Sequence, residues 1–411
     1  MNSKIITLFT ACFTLLGSSL QAQTFTNYTM SDGLLADNVL SLDVAANGDL
    51  WFGTQNGVSV FDGVSIWTDH TTTTDTGLAH NTIQALAVMS TGDVWIGTDF
   101  GVSVYNGSVW TKYTEANGLG DDKVKYIAED LAGNIWFATS DGASMFDGVN
   151  WTNYGMADGL PFGGANHITV HSNGDIWIST GLGGVAIWDG ATFTEITENE
   201  GLLNDKVRSL VIDGSGNKWV GTADGISVFD NSNTFSMNHT TMFTLPPPDT
   251  LNPVEDMAMD SQGIIWTAVY VDYLVTEGGV CAYDGANWFD YDVSDGLVGP
   301  VVRRLTIDAN DDVWVATSTG VSKISNTGVG IESVSDNASF NLYPNPTSDV
   351  LNISLTNVEN EQIEVYNTTM QLVKTVPVGN RQQQATMSMA DVEHGIYFVK
   401  IGNQVSKVIV N

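Results

Sequence analysis

Basic residues are scarce in this chain: 14 Lys and Arg stand against 47 Asp and Glu, a formal net charge of −33 over 411 residues. That balance argues against nucleic acid as a partner, because neutralising phosphates takes Lys and Arg. It argues equally against electrostatic docking on an anionic membrane. Cysteine is nearly absent, with only Cys12 and Cys281. Cys12 sits in an N-terminal apolar run, so a single thiol is left for the folded chain and no internal disulfide is expected. The core must therefore hold together without covalent staples. Proline is sparse at 9 residues while glycine is abundant at 42, a balance that suits many tight hairpin turns. Past the N-terminal run, no stretch reaches the roughly 18 apolar residues that a membrane helix needs. No G-x-S-x-G elbow and no P-loop is present.

What the chain does have is repetition. Seven tryptophans, most of them opening a W-x-G/A/S-T quartet, begin at Trp51, Trp95, Trp136, Trp177, Trp219, Trp266 and Trp314, in steps of 44, 41, 41, 42, 47 and 48 residues. A period in the forties with about four strand-like runs per repeat is the signature of a β-propeller. The first repeat reads VLSLDV, an apolar β-branched run suited to an innermost strand, then LWFGT, GVSVF and IWTDHT. Gly-Asp or Gly-Asn precedes the second strand, as at Gly48-Asp49 and Gly133-Asn134. Asp-Gly or Asn-Gly precedes the fourth, as at Asp62-Gly63 and Asn106-Gly107. These residues tolerate the positive φ that tight turns demand.

Strand counting predicts how the ring closes. The seventh repeat supplies VVRRLTI, VWVAT and GVSKIS but lacks the fourth, W-T-x-Y strand. Phe25-Thr26-Asn27-Tyr28-Thr29 matches Trp110-Thr111-Lys112-Tyr113-Thr114, so the N-terminal strand is expected to complete the last blade and remove an open sheet end. The pattern GL-x-x-(D/N)-x-V…D-x-x-G-x-x-W-x-G-T-x-x-G-V-S-V-(F/Y)-D-G, over about residues 24–325, resembles the two-component regulator propeller repeats. In that family the propeller is often the periplasmic sensor of a hybrid histidine kinase, thought to perceive carbohydrate. No membrane helix or kinase region follows here, so what the resemblance implies is chiefly the fold.

The two ends read as addresses. Residues 1–22 carry a positive Lys4, an apolar run from Ile5 to Leu16 and small residues up to Ala22, the pattern of a cleavable signal peptide. Residues 326–339 are polar and aperiodic, a linker. From 340 to 411, short alternating runs (VLNISL, IEVYN, QLVKTV, GIYFVKI, VSKVIV) predict a small β-sandwich. Tyr343-Pro344-Asn345-Pro346, Gly395-Ile396-Tyr397-Phe398-Val399 and Lys407-Val408-Ile409-Val410 together resemble the C-terminal sorting domain of type IX secretion cargo. The resemblance implies a Bacteroidota-type bacterium, Sec export, and passage across the outer membrane with the secretion machinery as partner. Such cargo ends up secreted or attached at the cell surface.

The tryptophans also serve as a ruler for the site. Eleven residues before them stand Leu40, Gln84, Lys125, Asn166, Arg208, Glu255 and Arg303. Ten before stand Ser41, Ala85, Tyr126, His167, Ser209, Asp256 and Arg304. With Lys123 and Lys206, six of the nine Lys and Arg between Phe25 and Ser339 gather at the start of the innermost strands. One reading is a basic mouth for a uronate or sulfated sugar, which the arginine fork suits. The competing reading pairs these bases with Asp121, Asp122, Asp205, Glu255 and Asp256 as a structural network. The two long steps flank the sixth repeat, with excess residues in 239–253 and 269–280. Phe243, Tyr270 and Tyr273 there offer aromatic faces for a sugar ring.

Catalytic spacing is poor. His70, His80, His167, His171 and His239 show no ligand pattern, since His167 and His171, four apart on a strand, would stand about 13 Å apart. Asp308–Asp312 resembles a calcium loop, but Val313 stands where that motif needs glycine. No metal or cofactor is expected. The candidate ligand-binding residues are therefore Lys125, Tyr126, His167, Arg208, Arg303, Arg304, Tyr270 and Tyr273. The leading expectation is a secreted or surface-exposed, monomeric, non-catalytic recognition module for extracellular glycan. A polysaccharide-degrading enzyme using the same mouth, with His167 or Tyr126 moving the proton, and a structural or adhesion protein are the alternatives.

Overall fold

The computed structural model describes residues 23–244, 252–272 and 276–325. In the C-terminal part it describes 339–343, 347, 349–356, 362–367, 371–377, 384–390, 392, 394–401 and 404–410. The proposed leader 1–22 lies outside the described residues, as does the proposed linker except Ser339, which begins a strand. Two compact units divide the chain, one spanning 22–326 and the other containing 327–411.

The first unit is a seven-bladed β-propeller. Its innermost strands, blades 1 to 7, are Val39–Val44, Ala85–Val88, Val124–Glu129, Ala165–Val170, Val207–Ile212, Val254–Met259 and Val302–Ile307. Each begins an antiparallel four-stranded sheet, and successive innermost strands pack side by side, blade 7 against blade 1. Blades 1 to 6 are continuous in sequence. Blade 7 takes its fourth strand, Thr24–Tyr28, from the N-terminal part of the chain, paired antiparallel from Thr24↔Ser325 to Tyr28↔Val321. Tyr28 stacks on Trp314 at 5.6 Å between ring centroids.

Each tryptophan packs onto the blade that follows. Trp95 lies with Val124, Ile127 and Phe137, Trp177 with Val207, Leu210 and Val220, and Trp266 with Val302, Leu305 and Val315. Trp314 completes the circle against Val39, Leu42 and Phe52. A side chain of this size buries roughly 150–250 Å², about 4–6 kcal/mol gross at 25 cal/mol per Å². Four of the indoles donate Nε1–H to an aspartate six residues earlier: Trp136 to Asp130, Trp219 to Asp213, Trp266 to Asp260 and Trp314 to Asp308. Asp308 Oδ1 also accepts from the Asn310 and Asp312 amides. Its carboxylate is thus engaged by its own turn and the indole.

The threonine of the quartet closes the next turn. Thr54, Thr98, Thr139, Thr222 and Thr317 each donate Oγ–H to the carbonyl of a glycine three residues on. At Gly142, φ is +143° and a Cβ would collide with the Tyr154 carbonyl, so glycine is required there. Blade 6 has Val269 in place of the threonine, and its hairpin runs on through Val269↔Gly279 to Asp272↔Thr276. The described part of the excess, up to Asp272 and from Thr276, is therefore additional strand.

The second unit contains a three-stranded sheet (Ser339–Tyr343, Val350–Thr356, Gln384–Ser388). Its other sheet has four strands: Leu372–Pro377, Gln362–Asn367, Gly395–Ile401 and Gln404–Val410. Leu351, Ile353, Ile363, Val365, Met387, Val399 and Val408 from both sheets form one core, which makes it a small β-sandwich.

Candidate functional site

A backbone irregularity aims the candidate side chains. In six blades the pairing of the first two strands skips one residue at the strand start, as between Val124 and Tyr126 or between Val302 and Arg304. The skipped residue is the one eleven before the tryptophan. A β-bulge of this kind re-aims a side chain out of the regular alternation. All seven such residues, Leu40, Gln84, Lys125, Asn166, Arg208, Glu255 and Arg303, line one cavity of about 1170 Å³. The rest of the wall includes Asp99, Ser140, Ala223 and Tyr270, each four residues after its tryptophan, together with Lys206, Asp224, Pro253 and Arg304. Counting four forward on the same ruler finds this second circle, a signal that counting only backward misses.

The wall carries five cations, Lys125, Lys206, Arg208, Arg303 and Arg304, and three anions, Asp99, Asp224 and Glu255. Some are already engaged. Arg208 forms an ion pair with Glu255. Lys125 Nζ donates to Asn166 Oδ1 at 3.2 Å, and Gln84 Nε2 donates to Asp99 at 3.1 Å. Burial holds the Lys125 ammonium below its ordinary pKa, with Asp121 opposing. Of the other acids expected to pair with these bases, Asp122 and Asp205 accept backbone amides of Glu115 and Glu198 instead. Lys206 and Arg303 differ: among the described residues no acid pairs with either side chain, and the buried Arg303 Nε has no hydrogen-bond partner.

Residues one position further along behave otherwise. Ser41, Ala85 and Ser209 are small and buried. The bulkier members meet: the Tyr126 and His167 rings lie 3.9 Å apart, and the Arg304 guanidinium stands 5.7 Å from the Tyr126 centroid. Arg304 Nη1 donates to the Glu255 and Arg303 carbonyls, and Nη2 to the Lys125 carbonyl at 3.4 Å. Asp256 feels the Arg304 charge and accepts the Leu305 amide at 2.9 Å. Side chains from blades 3, 4, 6 and 7 can meet only on the ring axis, so this group occupies it. Burial, reinforced by Arg304, pushes His167 down to about 3, so its imidazole is neutral at pH 7. Burial also raises the Tyr126 hydroxyl and the Asp256 carboxyl.

The structure thus brings Lys125, Arg208, Tyr270, Arg303 and Arg304 to the cavity wall. Tyr126 and His167, expected at the mouth, are packed off that wall, because residues beyond the bulge resume regular pairing. Tyr273 lies outside the described residues. Phe243, expected as an exposed sugar platform, is instead buried with Met242 in the core between blades 5 and 6. Asn252 draws the segment inward by accepting the Met242 and Phe243 amides, each at 2.6 Å.

Residues 341–411 match the family described as the secretion system C-terminal sorting domain. The chain is 29% identical over 131 residues to beta-agarase A of Zobellia galactanivorans, an alignment covering 30% of this chain and 23% of that protein. The matched part is thus under a quarter of that curated relative. Among solved structures, the extracellular domain of the hybrid two-component system BT3049 from B. thetaiotaomicron superposes with a TM-score of 0.63 at 19% identity, over 95% of this chain and 58% of that one. PorZ, a surface component of the type-IX secretion system of Porphyromonas gingivalis, does so with a TM-score of 0.61 at 18% identity, over 92% and 60%. At these identities the likeness is one of fold. The sorting domain makes this a secreted or cell-surface protein that engages the type IX secretion machinery. Among the described residues no helix is long and apolar enough to cross a membrane.

Proposed function

We propose that the propeller is a non-catalytic recognition module whose mouth cavity takes an extracellular glycan bearing a carboxylate or sulfate. One observation carries this reading: in a chain of net charge −33, the cavity wall holds five cations against three anions, and among the described residues no acid pairs with Arg303. A guanidinium on the cavity wall that no acid engages can seat an anionic oxygen. Tyr270 on the same wall supplies a ring beside that charge. The partial likeness to a protein named as an agarase suits a polysaccharide setting.

A degradative reading needs a proton carrier at the cavity. His167 is off the wall and neutral, and Glu255 is committed to Arg208. Neither supports it. The test is a glycan array followed by calorimetric titration of the best acidic oligosaccharide against the parent and Arg303→Ala. Charge-assisted hydrogen bonds contribute about 1.5–3 kcal/mol, so the variant should bind roughly 10- to 100-fold more weakly. Equal affinity in both proteins would refute the assignment of Arg303. No acidic ligand at all would leave the surface-structural alternative standing.

A further inference from the structure

The axis of the ring is closed beneath the cavity. Arg304 belongs to blade 7, and the Lys125 carbonyl it reaches belongs to blade 3, 179 residues away in sequence. Three blades is the largest separation a seven-membered ring allows, so this one side chain spans the channel. Its other contacts brace it there: the Glu255 carbonyl of blade 6 and the Tyr126 ring, itself packed at a tilt against His167 of blade 4. Asp256 of blade 6 supplies an opposing charge. Four blades, 3, 4, 6 and 7, thus contribute polar groups to one floor. The guanidinium is held by three carbonyls and a ring face, so it acts as a structural bar, leaving Arg303 and Lys206 as the wall cations that no described acid pairs.

A channel open at both ends could thread a polymer, whereas a pit with a floor cannot. The pit volume of about 1170 Å³ lies just above the range for small-molecule pockets, roughly 300–1,000 Å³. The bulged residues of six blades line it, together with Gln84 of blade 2, so polar groups from six of the seven blades gather around its centre. We infer that the site recognises chain ends: it seats the terminal acidic sugar of a glycan, or a short acidic oligosaccharide, with the anionic group at Arg303. This rests on the recognition reading above and specifies which part of a glycan is bound.

The experiment titrates the full propeller with oligogalacturonates and sulfated galactan oligosaccharides from the disaccharide upward, then with the parent polymers. Affinity should plateau within the first few sugars. Polymer should bind one protein per chain end regardless of its length, and capping the non-reducing and reducing ends in turn should abolish binding for one of the two. Stoichiometry that grows with polymer length, or capped chains that bind as well as free ones at both ends, would overturn end recognition while leaving glycan recognition intact. Failure of every acidic saccharide to bind would overturn both.

Discussion

At the scale of single residues, one extra position at the head of six of the innermost strands separates wall from floor. Lys125 and Tyr126 are neighbours in sequence, yet the bulge turns the first into the cavity and leaves the second packed against His167. Spacing from the tryptophans located both circles of residues. It could not say which way each points, because a bulge breaks the alternation on which such counting rests. Asp43 illustrates a residue that spacing did not single out. It binds blade 1 to blade 2 by accepting the Val44 and Val88 amides, each at 2.8 Å, and burial pushes its carboxyl up to about 6 from an ordinary 3.8. Below pH 3.8 both folded and unfolded states carry the neutral acid, and its contribution is intact. As pH rises through 6 the folded state must ionise a buried group, and that contribution is lost. Relative to Asp43→Asn, the parent should therefore lose roughly 2–3 kcal/mol of stability between pH 4 and pH 7. Urea denaturation of both proteins across that range checks this, and a constant difference would refute it.

At the scale of elements, the closing strand is the most consequential. Thr24–Tyr28 contributes Tyr28 to the Trp314 stack and Phe25 to the blade 7 core. Asn27 Oδ1 accepts from Ser322 Oγ at 2.7 Å while its Nδ2 donates to the Gly296 carbonyl. Removing this strand exposes the edge Gly320–Ser325 and one side of Trp314. A chain beginning after Tyr28 should melt on the order of 10 °C lower than one beginning at Gln23, with faster amide exchange in Gly320–Ser325. Unchanged melting would mean that the ring does not depend on its closure. The closing strand was legible because it repeats a W-T-x-Y pattern found elsewhere in the chain. The irregular sixth blade was legible only as an excess of residues. Its extension of the hairpin to Asp272↔Thr276 followed from Val269 replacing the threonine that ends the other turns. The burial of Phe243 depended on Asn252 capturing its amide, a contact between segments with no repeat to align them.

At the scale of the whole molecule, two electrostatic effects oppose each other. A net charge of −33 destabilises the compact state by self-repulsion, while the cavity is locally cationic. Raising salt from about 0.01 M to 1 M shortens the screening length from roughly 30 Å to 3 Å. The melting temperature should rise over that range while affinity for an acidic oligosaccharide falls. Thermal denaturation and titration on the same samples check this. If affinity rises with salt, charge does not drive recognition. The sequence by itself determined the blade, the number of blades, the strand that closes the ring and the secretion tail, because these are local patterns repeated or clustered along the chain. Only the tertiary structure decided that seven strand starts share one cavity and that Arg304 bars its floor. It alone shows that no described acid pairs with Arg303. Those facts are contacts across the ring between residues far apart in sequence, and a spacing along the chain carries no information about what stands opposite on a circle.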